Sequence, residues 1–76
     1  MVVMKNISQT NEYISMDCYK EGREENHFFI TINAETNELV ENTLSEMNMY
    51  VYHAIAKVLE LKELGALPKE ALSVWY

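Results

Sequence analysis

A single cysteine, a single proline, two glycines and six basic residues leave this 76-residue chain few of the devices that very small proteins use. Cys18 has no partner for an intramolecular disulfide, and no Cys/His spacing resembles a structural zinc site. Covalent and metal staples are therefore excluded, and no cofactor or metal is expected. No apolar run approaches the ~18 residues that would span a bilayer, or even the shorter core of a signal peptide. The expectation is a cytoplasmic protein without a membrane partner. Repeats, low-complexity tracts and Gly/Ser/Pro linkers are absent too, so residues 1–76 read as one domain.

Positive charge is equally scarce. Six Lys and Arg face twelve Asp and Glu, for a formal charge of −6. Affinity for nucleic acid depends on cations that neutralise phosphates, so direct nucleic-acid binding is not expected. The excess is also localised: residues 1–20 and 47–76 are each neutral, and all the net charge falls in 21–46, where seven glutamates face only Arg23.

What the chain does have is periodicity. From Tyr13 to Lys20, Ile14, Met16 and Cys18 alternate with Tyr13, Ser15, Asp17 and Tyr19, the period-2 pattern of a half-buried strand. Polar residues and a glycine from Lys20 to Asn26 make a turn or short loop. A second strand runs from His27 to Ala34, with Phe28, Ile30 and Ile32 on one face and β-branched and aromatic residues throughout. Ala34 to Asn37 should be a tight turn, with Asn37 best able to take a positive φ. Glu38 to Glu41 would return as a short strand, and Val2 to Ile7 would add an edge strand, although Lys5 and Asn6 weaken its pattern.

Thr43-Leu44-Ser45-Glu46 fits a capping box, and Gly65 followed by Pro68 fits a helix end, so a helix is expected over Leu44 to Leu64, about 30 Å long. Its apolar residues, Leu44, Met47, Tyr50, Val51, Tyr52, Ala54, Ile55, Val58, Leu59 and Leu61, spread over roughly 200°. A stripe of about 100° is enough to cover one small sheet. Beyond Gly65, Pro68 would open a short helical turn through Leu72, placing Leu72 and Trp75 on one side. The fold class is thus α+β: a small antiparallel meander of two to four strands over about 2–42, one long helix over about 44–64 on one face, and a tail over 66–76. The expected core is Ile14, Met16, Cys18, Phe28, Ile30, Ile32, Leu39, Met47, Val51, Ala54, Ile55 and Val58.

The residues with chemical potential do not assemble a catalytic motif. Cys18 falls on the buried face, where a thiol stays protonated. His27 and His53 are isolated and expected in solvent, without the spacing of a metal site. Carboxylate pairs such as Glu24 with Glu25, or Glu38 with Glu41, are unspecific in so acidic a chain, and a domain this small has little interior for a pocket. No enzymatic activity is expected.

Two functional expectations remain. A chain this short removes only about 60% of its unfolded surface from water, and the surplus apolar arc needs a cover, since large exposed apolar patches are uncommon on monomers. The leading expectation is therefore a self-associating interaction module, a homodimer or a subunit on another protein, contacting through Tyr52, Leu59, Trp75 and Tyr76. The alternative is an acidic inhibitor that blocks a basic, nucleic-acid-binding partner with Glu21, Glu24, Glu25, Glu35, Glu38 and Glu41, by charge steering.

Overall fold

The computed structural model describes residues 1–75 and shows an α+β arrangement: five antiparallel strands form one sheet, and one helix lies against it. In chain order the strands are β1 (Val2–Gln9), β2 (Tyr13–Lys20), β3 (His27–Asn33), β4 (Leu39–Asn42) and β5 (Ala71–Ser73), with the helix α1 (Met49–Glu63) before β5. The order across the sheet is β4-β3-β2-β1-β5, a four-stranded meander extended by the C-terminal strand. Five strands replace the two to four expected. Among the described residues no helix is long and apolar enough to cross a membrane.

The first strand shows how the sequence manages its own irregularity. Val2 and Met4 are buried, but so is Ile7, which strict alternation would place on the opposite face. The register resolves this: Lys5 faces Asp17 and Ser8 faces Ser15, so β1 takes three steps where β2 takes two. The extra residue is a β-bulge around Asn6, whose φ of 53° suits an asparagine better than a β-branched residue. The bulge returns Ile7 to the core and defines the strand whose pattern Lys5 and Asn6 obscure.

The turns follow local chemistry. Glu21 and Gly22 both have positive φ, 54° and 71°, and the Arg23 N–H closes the turn on the Lys20 carbonyl at 3.1 Å. A single 3₁₀ turn over Glu24–Asn26 then leads into β3. Asn37 takes the expected positive φ of 64°, while the Asn33 side chain accepts from the Glu35 and Thr36 amides to hold the turn together.

The helix is shorter than the sequence suggests. Its N-cap is Asn48, whose Oδ1 accepts from the Val51 N–H at 3.0 Å, and it spans 15 residues, roughly 22 Å. The capping box at Thr43 is not formed because its hydroxyl is already used: Thr43 Oγ1 accepts from the Phe29 N–H of β3 at 2.8 Å, just past the end of β4. Ser45 then takes a positive φ of 61°, which no helix can continue through. The C-terminal reading holds: Gly65 has φ 92° and its N–H bonds to the Lys62 carbonyl. The short helical turn expected after Pro68 is instead strand β5, paired with β1 through Val2↔Ser73, Val3↔Leu72 and Met4↔Ala71. The open edge of β1 offers a ready row of backbone donors and acceptors, whereas one helical turn gains little cooperativity. The N-terminal strand is consequently internal, flanked by β2 and β5, and Leu72 and Trp75 lie on opposite faces of the strand line.

The helix packs its Val51, Ala54 and Val58 onto Val2, Met4, Ile7, Ile14, Met16, Cys18, Phe28, Ile30 and Ile32, with no buried polar or charged residue among them. Two expected core members are elsewhere. Leu39 is 39% exposed because β4 is an edge strand with a register shift, and Met47 is 60% exposed because it precedes the helix. Ile55 is half-buried, flanking the core rather than in it. Full burial of a side chain such as Phe28 or Ile30 contributes about 1.5–3 kcal/mol. A lost cap costs about 1 kcal/mol, so the core sets stability and the cap sets where the helix begins.

That division predicts opposite outcomes for two substitutions at the helix start. Asn48→Ala should cost about 1 kcal/mol and lower the melting temperature by about 4–8 °C. Glu46→Ala, which would break a capping box, should stay within about 0.5 kcal/mol of the parent in thermal circular dichroism.

Candidate functional site

The strand register places every partnered residue, and with it the face opposite the helix. Leu72, Val3, Tyr19 and His27 form one row across β5, β1, β2 and β3; Lys5, Asp17 and Phe29 form the next; Ser8, Ser15, Thr31 and Glu41 follow. The first row is apolar and aromatic, and polarity grows toward the third.

Asp17 organises the centre of this face. Its Oδ1 is 2.7 Å from His27 Nε2 and its Oδ2 accepts from Asn6 Nδ2 at 2.9 Å. The bulge therefore does two jobs, returning Ile7 to the core and turning an amide donor onto Asp17. The Asn6 hydrogen bond, then the one from His27, holds the Asp17 carboxyl below the usual carboxylate range against a smaller opposing effect of burial. Tyr19 lies 5.2 Å from the His27 ring, with Lys5 Nζ 5.5 Å above its own ring. His27 is thus exposed, as expected, yet engaged by a diagonal cross-strand carboxylate.

An aspartate that holds a histidine is half of a nucleophile-activating constellation. The nearby hydroxyls do not complete it: Ser8 Oγ and Ser15 Oγ bond to each other at 3.0 Å. Cys18 points to the other face, fully buried, and desolvation followed by the neighbouring Asp17 charge pushes its thiol up to about 12. Between the β1–β2 and β3–β4 turns lies a shallow open cleft lined by Glu12, Tyr13, Asn33 and Glu35.

The second constellation is aromatic. Trp75 stacks on His53 with centroids 4.1 Å apart and planes 7° from parallel, and meets Tyr50 edge-on at 5.5 Å. Tyr52 meets His53 edge-on at 5.3 Å. His53, expected in solvent on the polar side of the helix, is half-buried under the indole. The tail therefore packs in cis, and with the sheet it covers most of the helix arc. Two of the four expected contact residues, Tyr52 and Trp75, are brought together through His53. Leu59 is half-buried against the core. Tyr76 lies outside the described residues. Lys62, which interrupts the apolar arc, ties the helix to the β3–β4 turn by donating to the Ala34 carbonyl and to Asn37 Oδ1.

The acidic segment is divided by the topology. Glu21, Glu24 and Glu25 sit at the β2–β3 end of the sheet, Glu35 and Glu38 at the β3–β4 end, and Glu41 within edge strand β4. The two ends are separated by the length of β3, roughly 20 Å. Glu21 is also occupied: its Oε2 accepts from the Met1 amine at 3.1 Å and from the Tyr50 hydroxyl at 2.9 Å. The amine, then the Tyr50 hydroxyl, lowers the Glu21 pKa, and Glu21 in turn raises that of Tyr50. Sequence reasoning missed the Asn6–Asp17–His27 network; its one signal was the slip of the apolar period from Met4 to Ile7.

No family model, curated protein or solved structure matches this chain. Among the described residues no group of three or more His, Cys, Asp and Glu side chains is placed to hold a metal ion.

Two measurements check this geometry. Because the Asp17 pKa is lowered by folding, its stabilisation is present above the usual 3.8 and is lost as pH falls through the depressed folded value. Asp17→Asn should melt below the parent at neutral pH, and the gap should close in strong acid. Cys18 should resist a thiol-specific disulfide reagent in the native protein at about pH 8 and react promptly once denatured; equal rates in both states would place the thiol at the surface.

Proposed function

We propose that this protein is a non-catalytic interaction module that associates with a second copy of itself as a two-fold dimer. The observation that carries this reading is the apolar surface left exposed on the helix at Tyr52 and along the β5 edge of the sheet at Leu72 and Val74. Tyr52 is 58% exposed, Leu72 48% and Val74 50%. Tyrosine is enriched among residues that anchor protein interfaces, and burial of such surface is a common way for a very small domain to gain stability.

The non-catalytic part of the proposal draws on what the reactive groups already do. Cys18 is packed in the core, Ser8 and Ser15 are paired with each other, and the Asp17–His27 pair joins two strands. Glu12 and Glu35 line a cleft open to water, where carboxylates keep their solvation. Leu59 contributes little to the proposed contact because it already flanks the core.

Light scattering coupled to size exclusion at micromolar concentration tests the proposal. The expected mass is twice that of the chain, unchanged between low and high salt because the contact is apolar. A monomer under all these conditions would overturn it.

A further inference from the structure

We infer that the two copies join edge to edge, through antiparallel pairing of the stretch Ala71 to Trp75, which is β5 and the two residues after it, with the same stretch of the second copy about a two-fold axis at Ser73. The inference rests on the dimer reading above and names its surface. Among the described residues two strands have an unpaired outer edge, β4 and β5. Unpaired edges are templates for another strand, and proteins guard them with charges and bulges.

β4 is guarded. Glu41 lies within it, Glu38 precedes it, and its register with β3 shifts between Thr31 and Ile32. A two-fold contact there would bring carboxylates of both copies together in a chain that already carries −6. β5 is guarded only by its shortness and by Lys69 and Glu70 ahead of it: from Ala71 to Trp75 no residue is charged.

The same stretch is complementary to itself. With the axis at Ser73, residues equally spaced on either side face each other, so Leu72 of each copy lies opposite Val74 of the other, and Ala71 opposite Trp75. Leu72 shares the face of Val3, its partner in β1, and once the strand extends past Ser73 in the dimer, alternation puts Val74 on that face too. Two half-exposed pairs would close over each other there, as cross-strand apolar pairs do. On the helix side, Ala71 is small enough to lie beside the Trp75 indole.

The charge distribution suits a second copy. The ten-stranded sheet that results carries β4 at both outer edges, nine strand spacings apart, or about 43 Å. Glu38 and Glu41 of the two copies are then separated by several screening lengths of about 10 Å at moderate salt. The neutral edges meet and the acidic edges are held as far apart as the architecture allows.

The test compares the parent protein with a Leu72→Lys/Val74→Lys double variant and with Val40→Lys, which charges the β4 edge at a residue 53% exposed. The double variant should be monomeric by light scattering, with its dissociation constant raised at least ~100-fold, and with the far-ultraviolet circular dichroism and Trp75 emission of a folded chain. Val40→Lys should remain dimeric. Ser73→Cys supplies a positive readout independent of tolerance to lysine: paired strands at the axis place the two Cα atoms about 4.5–5.5 Å apart, within disulfide reach. Mild oxidation should therefore cross-link Ser73→Cys but not Val40→Cys, with Cys18 closed in the core. A parent protein that is monomeric overturns both the dimer and this inference. A parent that is dimeric, a folded double variant that stays dimeric and no cross-link at position 73 overturn the edge pairing alone and leave the dimer standing.

Discussion

The pairing of β1 with β5 is the contact on which the remaining structure depends. It joins segments from nearly opposite ends of the chain, and it satisfies the outer backbone edge of a strand whose Val2 and Met4 are fully buried. Its consequence reaches the helix, because the chain leaving β5 carries Trp75 onto His53 and Tyr50. Tyr50 in turn donates to Glu21, which also holds the Met1 amine, so the chain start, the β2–β3 turn, the helix and the tail are tied at one end of the molecule. The entropy lost in closing so long a loop grows only logarithmically with its length, which is why one short strand with an aromatic stack can hold it.

The legible parts of the fold are those decided locally. β2 and β3 follow from alternation, the turn at Asn37 from its tolerance of positive φ, and the helix end from Gly65. The illegible parts are those in which a local preference met a distant competitor. Thr43 has the sequence context of a helix cap, but the Phe29 amide of β3 lies within its reach, and a strand donor with no other partner outcompetes a cap. The residues after Pro68 have no strand signature of their own; they become β5 because β1 presents an edge. The same reasoning covers the candidate surfaces. Tyr52 and Trp75 were visible as aromatics near the helix and the tail, but their connection through His53 exists only once β5 has turned the tail back. The acids were visible as one sequence block, whereas the strands between them carry them to two ends of the sheet.

The two faces of the sheet illustrate how little polar chemistry the interior tolerates. The helix side holds no buried polar residue, and no buried side-chain nitrogen or oxygen lacks a partner among the described residues. Apart from the links that Tyr50 and Lys62 make from the helix, the polar network is on the opposite face, where one asparagine out of register supplies Asp17 with a donor and Asp17 holds His27. Exposed pairs of this kind contribute modestly to stability, so their main effect is to fix the strand register and to keep that face from being uniformly apolar. The gradient from Leu72 and Val3 to Ser8 and Ser15 runs along the strands, and the apolar row is the one that includes β5.

The antiparallel pairing of Val2 with Ser73 also fixes where the polypeptide enters and leaves the sheet. Both crossings occur at one corner, side by side in adjacent strands. A unit built this way behaves like a plug with two adjacent pins: it can be inserted into a surface loop of a host protein without prising the loop apart, and its own ends can be joined and reopened elsewhere by circular permutation. A passenger attached before Val2 would emerge at that corner, leaving the far edge of the sheet unobstructed.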